Sequence, residues 1–376
     1  MRLLVLLILL AILAALELFI YRKHALDNLS LDVRFSKRVA RFGETVEVIE
    51  TAQNNKRLPL PFLLLKFEAP TSLQFLDMTN TTSSDLLYRE DMLTMKSFSQ
   101  HTRRIKACCT QRGYYSFFRV NITTSDLLLI DKLNRNFEND AHLTVLPEEI
   151  PTSELQPLLS ITLSDVMQRR TLLTDPFSFS GIREYQPWDP MRAINWTATA
   201  KAGDFMVNQQ ASTSTRQITI FLNLDFYDFK ESTSLLEKSI SLAYSYMLAL
   251  CNSGIPCALY TNGRDVLTEL PVSLDMSACL ADMEHRGEAL ARIDLACPVI
   301  PFDELLEAHG ANVRKDDYTI IISPRCDSAF RRLLVQLKPY RSSLNWIMPC
   351  YKTTPHVKLD AELMNIYQRW EMMGHD

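Results

Sequence analysis

Residues 3–20 read LLVLLILLAILAALELFI, a run in which Glu17 is the one charged side chain. Roughly 20 apolar residues in helical form span the hydrocarbon core of a bilayer. A lone apolar segment can satisfy its backbone N–H and C=O groups there only as a helix. The residues before it hold a single cation, Arg2, no small-x-small cleavage site follows, and the run is long for a signal peptide. The expectation is a retained transmembrane anchor over 1–24. Glu17 lies near one end, where its carboxylate reaches the interface. Arg22, Lys23 and His24 follow the run, whereas only Arg2 and the α-amine precede it. The positive-inside rule then predicts a single-pass protein of the cell membrane with its soluble domains in the cytoplasm.

The remaining chain bounds the chemistry. With 376 residues there is room for two or three domains, and a net charge of −4 creates no basic field for nucleic acid. There are 9 glycines and neither a GxxxxGK[ST] nor a GxGxxG pattern, which argues against the usual nucleotide loops. The 8 cysteines include no CxxC and sit mostly in apolar contexts, as reduced core thiols do. The 7 histidines form neither HxH nor HExxH, so zinc is not indicated.

Residues 28–150 read as a β-sandwich domain. Leu31, Val33 and Phe35, then Val46 and Val48, alternate with polar residues about a turn at Gly43, with Glu50 breaking the run. Pro59 and Pro61 bar a helix before the apolar stretch Phe62 to Phe67. The polar stretch 79–85 reads as a loop. Alternation resumes about Gly113, and LLLIDK and HLTVLP come next as further strand candidates. Arg103, Arg104 and Lys106 read as a solvated strand face.

Residues 151–376 change to alternating strands and helices. Strands are expected at Ile218 to Leu224, 256–262, 317–323 and 344–350. Helices are expected at 234–250, after Ser277, at Phe302–His309, at Ser328–Leu337 and at 359–372. Ser234 with Glu237 suggests a capping box, and Gly254 with Pro256 a stop. Continuous apolar strands between helices imply a mostly parallel sheet covered on both faces. Its ligand rim would be the C-terminal strand ends: Asn223, Asp225 and Asp228, then Thr261 and Asn262, then Ser323 and Arg325.

Segment 177–210, FSFSGIREYQPWDPMRAINWTATAKAGDFMVNQQ, is both charged and aromatic. Arg183, Arg192 and Lys201 balance Glu184, Asp189 and Asp204, while Tyr185, Trp188 and Trp196 favour burial. Arg183, Glu184, Tyr185, Trp188, Asp189, Arg192, Asn195, Trp196 and Lys201 read as an interaction or structural network. In one form Arg183, Glu184, Asp189 and Arg192 pair as links between the two domains, with Trp188 and Trp196 packing the interface. In another, Tyr, Trp and Arg present a docking surface. Glu184 and Asp189 as an acid/base pair would make the protein a membrane-bound hydrolase, although no nucleophile or metal completes the set.

The stretch GIREYQPWDPMRAINW (181–196) resembles the signature of the family known as DUF fifty-eight, G-x-REY-x-x-G-D-x-x-R-x-I-[DN]-W, with Trp188 where that family usually has Gly. RFGE (41–44), LPLPF (58–62), RGYY (112–115) and TSD (124–126) resemble its first-domain landmarks, in the right order. The resemblance implies an N-terminal anchor, a sandwich and a domain similar to von Willebrand factor type A. It also implies a non-enzymatic adaptor or scaffold acting with a MoxR-type AAA ATPase in assembly or maturation of a membrane or envelope complex.

Type A domains often hold a metal through D-x-S-x-S after the first strand, with a Thr and an Asp from later loops. The matching positions here, Asn223, Asp225, Asp228, Thr261 and Ser323, supply no such pair of serines. The expectation is a degenerate site with no cofactor, Mg²⁺ being the ion such oxygens would suit. A third reading, an extracytoplasmic adhesin, runs against the flanking charges.

Overall fold

The computed structural model describes residues 2–70, 72–77, 81–83, 86–126, 129–172, 179–187, 189, 191–210, 217–225, 232–297, 299–310, 317–340, 343–357 and 359–372. The chain divides into two compact units, one of Met1–Glu148 with Gly287–Ile293, the other of Glu149–Arg286 with Asp294–Asp376.

The first unit begins with helix α1 (Arg2–His24). Its mean hydropathy is 3.1 and its apolar side chains are exposed, so it is long and apolar enough to be a membrane span or a signal sequence. Its last turn is fixed to the strands of the same unit. Tyr21 and Ala25 are buried with Leu29, Ala52, Leu60, Leu63, Met95 and Ile122. The Tyr21 hydroxyl donates to the Pro59 carbonyl at 2.9 Å. The ammonium of Lys56 donates to the carbonyls of Ala25 and Asp27, which the helix end leaves without intrahelical partners. Burial of that ammonium pulls its pKa down to about 8. Asn28, in the left-handed region with φ 49°, turns the chain into the first strand, as asparagine does at low cost.

The unit contains two antiparallel-rich sheets. One has the order β1 (Leu29–Phe35), β3 (Thr45–Asn54), β8 (Ser99–Cys109), β5 (Leu73–Phe75). The other has the order β2 (Val39–Ala40), β10 (Lys132–Val145), β9 (Gly113–Ser125), β4 (Leu60–Pro70), β7 (Leu86–Met95), β6 (Thr81–Ser83). Alternate residues of both, among them Val33, Val46, Val48, Leu65, Phe67, Ile105, Phe117 and Leu143, form one apolar cluster. Phe117 stacks on Phe35 at 4.6 Å and meets Phe67 edge-on at 5.2 Å, so aromatic contacts join the sheets.

Four expectations change in this unit. Glu50 does not break its strand: β3 runs to Asn54, and Glu50 is buried on the inward face. Part of the expected loop 79–85 is the short strand Thr81–Ser83. In LLLIDK, Leu129, Ile130 and Asp131 are not strand and Lys132 opens β10; the first two leucines lie outside the described residues. The Asp126 carboxylate accepts the Ile130 and Asp131 N–H groups at 2.8 Å each, closing a turn with Leu129 at φ 58°. Arg103 leaves the solvated face of Arg104 and Lys106, because period-2 alternation turns it inward with Ile105, to Asp91.

In the second unit α2 (Thr152–Leu172) leads to β11 (Phe179–Glu184), α3 (Trp196–Ala202) and β12 (Met206–Gln210). Then come β13 (Ile218–Leu222), α4 (Ser232–Asn252), β14 (Cys257–Asp265), β15 (Pro271–Ser277), α5 (Met283–Ala291) and β16 (Ile293–Asp294), of which Gly287–Ile293 belongs to the first unit, then α6 (Phe302–Gly310), β17 (Tyr318–Ile322), α7 (Ser328–Leu337), β18 (Ser343–Tyr351), α8 (Ala361–Met364) and β19 (Tyr367–Met372). The large sheet has the order β15-β14-β13-β17-β18-β19. Strands β14 through β19 in that order are parallel, and β15 is an antiparallel edge. Phe221, Ile321 and Trp346 face a cluster with Phe302, Leu306, Phe330 and Leu334. The alternate residues Ile220, Leu222, Ile320 and Ile322 are buried too, so both faces are covered.

Sequence reasoning missed helix α2, although Leu155, Leu158, Leu159 and Val166 are buried at helical spacing along one face. Its Thr162 hydroxyl meets the Tyr246 hydroxyl of α4 at 2.6 Å. Helix α4 starts at Ser232, two residues before the expected cap, and stops at Gly254 with φ 66°. The expected helix 359–372 is corrected: α8 is one turn, and residues 367–372 form strand β19 beside β18. Trp370 and Met372 are buried while Glu371 between them is exposed, a period of two that lay beneath an apparent helical stripe.

Candidate functional site

Two polar arrangements in the second unit concern the expected site residues. The first is the charged aromatic segment. Strands β11 and β12 pair antiparallel, Ile182 opposite Asn208 and Glu184 opposite Met206, with a bulge before Gly181. The connection between them is built by side chains of the signature. Arg183 grips Asp189 with both terminal nitrogens, at 2.6 and 2.7 Å. Asp189 also accepts the Gln186 N–H at 2.9 Å. The guanidinium and that N–H hold the Asp189 carboxyl below the usual carboxylate range, and the Arg183 pKa rises in turn.

Asn195 caps α3. Its side-chain oxygen accepts the Ala198 N–H at 3.0 Å, and its amide donates to Asn208 on β12 at 2.7 Å. Gly203 ends the helix at φ 85°, where a glycine costs no Cβ strain, and the Thr199 hydroxyl accepts the Met206 N–H at 3.0 Å. Under this frame Ile194 and Val207 are buried. On it Trp196, Phe205, Met191 and Ile182 stand out, 63, 55, 70 and 41 % exposed. Phe205 links Trp196 (centroids 6.4 Å apart, edge-on) with Tyr185 (6.1 Å).

This changes the network expectation. The Arg183–Asp189 pair is internal to the segment, and Trp196 is displayed. Glu184, Arg192 and Lys201 are exposed. Trp188 lies outside the described residues. Both Asp189 oxygens are engaged by Arg183, while Glu184 is exposed. Asn195 thus caps the helix, and Trp196 is presented by its first turn.

The second arrangement is the rim at the C-terminal strand ends. Asn223, Thr261, Asn262 and Ser323 are fully buried there, and Asp225 nearly so. Asn223 donates to the Ser323 hydroxyl at 3.0 Å, and its oxygen accepts from the Asp225 N–H at 2.9 Å and from Asn262 at 3.1 Å. The Asn262 oxygen accepts the Leu224 N–H at 2.8 Å, and the Thr261 hydroxyl accepts the Gly263 N–H at 3.2 Å. The structure thus joins Asn223, Asp225 and Ser323; Thr261 turns to its own strand, and Asp228 lies outside the described residues.

One of these side chains, Asp225, meets a cation, and that cation is itself a side chain. Arg325 reaches Asp225 at 2.9 Å and pairs through its other nitrogens with Asp327. Asp327 also caps α7, accepting the Ala329 N–H at 3.1 Å, and the neighbouring guanidinium holds its carboxyl below the ordinary range. Beside Arg325 opens a cavity of about 380 Å³ lined by Phe302, Asp303, Ala329, Phe330 and Arg332 among others. Among the described residues, no group of three His, Cys, Asp or Glu side chains converges as metal ligands do. Sequence reasoning placed Arg325 on the rim but missed Asp327; its signal was Asp before Ser-Ala-Phe at a helix start.

No family model and no curated protein matches the chain. Among solved structures it is similar to the CARDB domain of a Pyrococcus furiosus protein, at 16 % identity over 32 % of this chain and 90 % of that one, TM-score 0.22. It is similar to a non-cellulosomal cohesin of Archaeoglobus fulgidus, at 10 % identity over 31 % of this chain and 91 % of that one, TM-score 0.22. A type I cohesin of Pseudobacteroides cellulosolvens gives 14 % identity over 32 % of this chain and 94 % of that one, TM-score 0.21.

Proposed function

We propose that the protein is a membrane-anchored adaptor or scaffold, without catalytic chemistry of its own, whose partner contact is the segment 181–206. The observation that carries this is the display of Trp196, Phe205, Met191 and Ile182 on a frame held by the Arg183–Asp189 pair and the Asn195 cap. Aromatic side chains that are exposed yet held in place lose little entropy on binding, and Trp is among the commonest binding hot spots. A charged rim of Glu184, Arg192 and Lys201 surrounds them and supplies orientation.

The family reading remains the DUF fifty-eight resemblance, with the second unit as a von Willebrand factor type A-like domain. The parallel sheet and the polar rim at its strand ends support it. In this reading Arg325 takes the role that a metal has in other domains of the type, which makes the expected ligand a protein and no divalent ion. The anchor is α1, the soluble units are cytoplasmic because Arg22, Lys23 and His24 follow the span, and the partner is a MoxR-type AAA ATPase.

The test is capture from detergent-solubilised membranes by the tagged full chain, with and without ATP. An ATPase should be retained by the native chain and lost on Trp196→Ala with Phe205→Ser, while both proteins keep the same melting curve. Equal capture by the two would remove this segment from the contact.

A further inference from the structure

The end of the first unit nearest α1 presents three apolar side chains to its surroundings. Phe98, Leu129 and Ile130 are 66, 62 and 66 % exposed. Each is held outward by backbone that other residues fix. Phe98 and Leu129 have φ of 49° and 58°, a costly conformation for side chains of that size. The Phe98 N–H bonds to the Lys56 carbonyl at 3.1 Å, and Lys56 is the residue whose ammonium closes the end of α1. The turn bearing Leu129 and Ile130 is pinned by the buried Asp126 carboxylate.

Both turns reach back along the helix. Asp131, next to Ile130, pairs with Arg22 at 3.7 Å, and Pro59, three residues past Lys56, receives the Tyr21 hydroxyl. Residues 21 and 22 lie about 4–6 Å inside the helix from Ala25, at a rise of about 1.5 Å per residue. The turns therefore stand at the level where the apolar run of α1 ends. Exposed cations share this level: Arg22 and Lys23 on α1, Arg57 on the connection between β3 and β4, and Lys96 beside Phe98, with Asp131 against Arg22 and Asp27 against His24.

We infer that this end of the first unit docks on the bilayer that α1 enters, with Phe98, Leu129 and Ile130 inserted at headgroup depth and Arg22, Lys23, Arg57 and Lys96 over anionic lipid. The inference rests on the reading of α1 as a membrane anchor. Continuity with that anchor selects lipid as the occupant. The α1 end is tied by Lys56, Tyr21 and Arg22, so the two turns cannot leave the surface without breaking those bonds. The helix already keeps the unit at the membrane, so the inserted apolar side chains and the cations have only to hold its orientation there.

The test places an environment-sensitive fluorescent residue, one position at a time, at Leu10, Phe42, Phe98 or Ile130 of the full chain in phosphatidylcholine/phosphatidylglycerol vesicles containing brominated lipid. Phe42 sits by the turn that bonds to Cys109, at the opposite end of β3 and β8, roughly 30 Å from the Asn54–Ser99 end at about 3.4 Å per residue. Quenching at 98 and 130 should exceed that at 42 by at least about threefold, and replacing phosphatidylglycerol by phosphatidylcholine should lower it. Quenching at 10 with none at 98 and 130 overturns the docking while keeping the anchor. No quenching at 10 overturns the anchor itself. Equal quenching at 42 and 130 overturns the end-on arrangement.

Discussion

Arg89 and Asp91 form an ion pair at 2.8 Å with both side chains wholly buried, two residues apart on one strand and therefore on one face of it. Arg103 reaches the other Asp91 oxygen from the opposite sheet, and the Arg89 guanidinium lies 5.4 Å from the centre of the Phe75 ring. The two sheets of the first unit are thus joined by an ionic cluster as well as by apolar packing. Replacing a buried pair by apolar groups can be neutral, but removing one partner strands the other charge. Asp91→Asn is expected to destabilise the unit by about 3–5 kcal/mol, read as a fall in the denaturation midpoint. Arg104→Ala, on the solvated face where it pairs diagonally with Glu47, should change it by under about 1 kcal/mol.

Glu50 adds a pH dependence. It is buried beside Asp91, and desolvation first, then the Asp91 charge, push its pKa up to about 8. The folded protein therefore holds a proton that the unfolded chain releases above the ordinary value of 4.5. Stability from this group is fully present below pH 4.5, falls as pH rises, and is lost by about pH 8, at up to about 1.4 kcal/mol per unit of pH. Melting temperature should decline from pH 5 to 8 in the native chain. In Glu50→Gln, where the amide stands in for the protonated acid, that decline should flatten.

How far the sequence foretold these features depends on whether a residue acts through its neighbours in the chain or across the fold. Gly254 stops α4 and Pro61 sits at a bulge of β4, and both acts are local. Glu50 looked like a strand breaker because its partners, Asp91, Arg89 and Arg103, are 39 to 53 positions away and invisible to periodicity. Residues 367–372 looked helical because Leu363, Ile366, Tyr367 and Trp370 fall at helical spacing. A neighbouring strand edge at β18 outweighed that stripe by offering a full ladder of hydrogen bonds. The polar rim was legible as a place but not as a state: nothing in Asp225 alone announces that Arg325 closes on it from a loop 100 positions later.

That closure gives a prediction. Arg325→Ala leaves Asp225 buried without its guanidinium, at an expected cost of about 1–3 kcal/mol. Adding Asp225→Asn should restore part of the loss, because the cost lies in the uncompensated carboxylate. Mg²⁺ at millimolar concentration should leave the melting temperature of the native chain unchanged. A micromolar Kd for Mg²⁺ would show that the guanidinium can be displaced.

The segment 181–206 allows contact and scaffolding to be separated. Trp196 is mostly exposed and Asn195 next to it holds the helix start, so the two residues act in different ways on one surface. Asn195→Ala removes the cap at about 1 kcal/mol, which should speed hydrogen exchange at the Ala198 and Thr199 amides. Partner affinity should fall less than about tenfold, because the aromatic face is then ordered only on binding. Trp196→Ala leaves the frame intact and exchange unchanged, and should cost about 2 kcal/mol or more of affinity, roughly thirtyfold. If exchange at these amides accelerates equally in both variants, Trp196 is part of the frame and the displayed face is not where the partner binds.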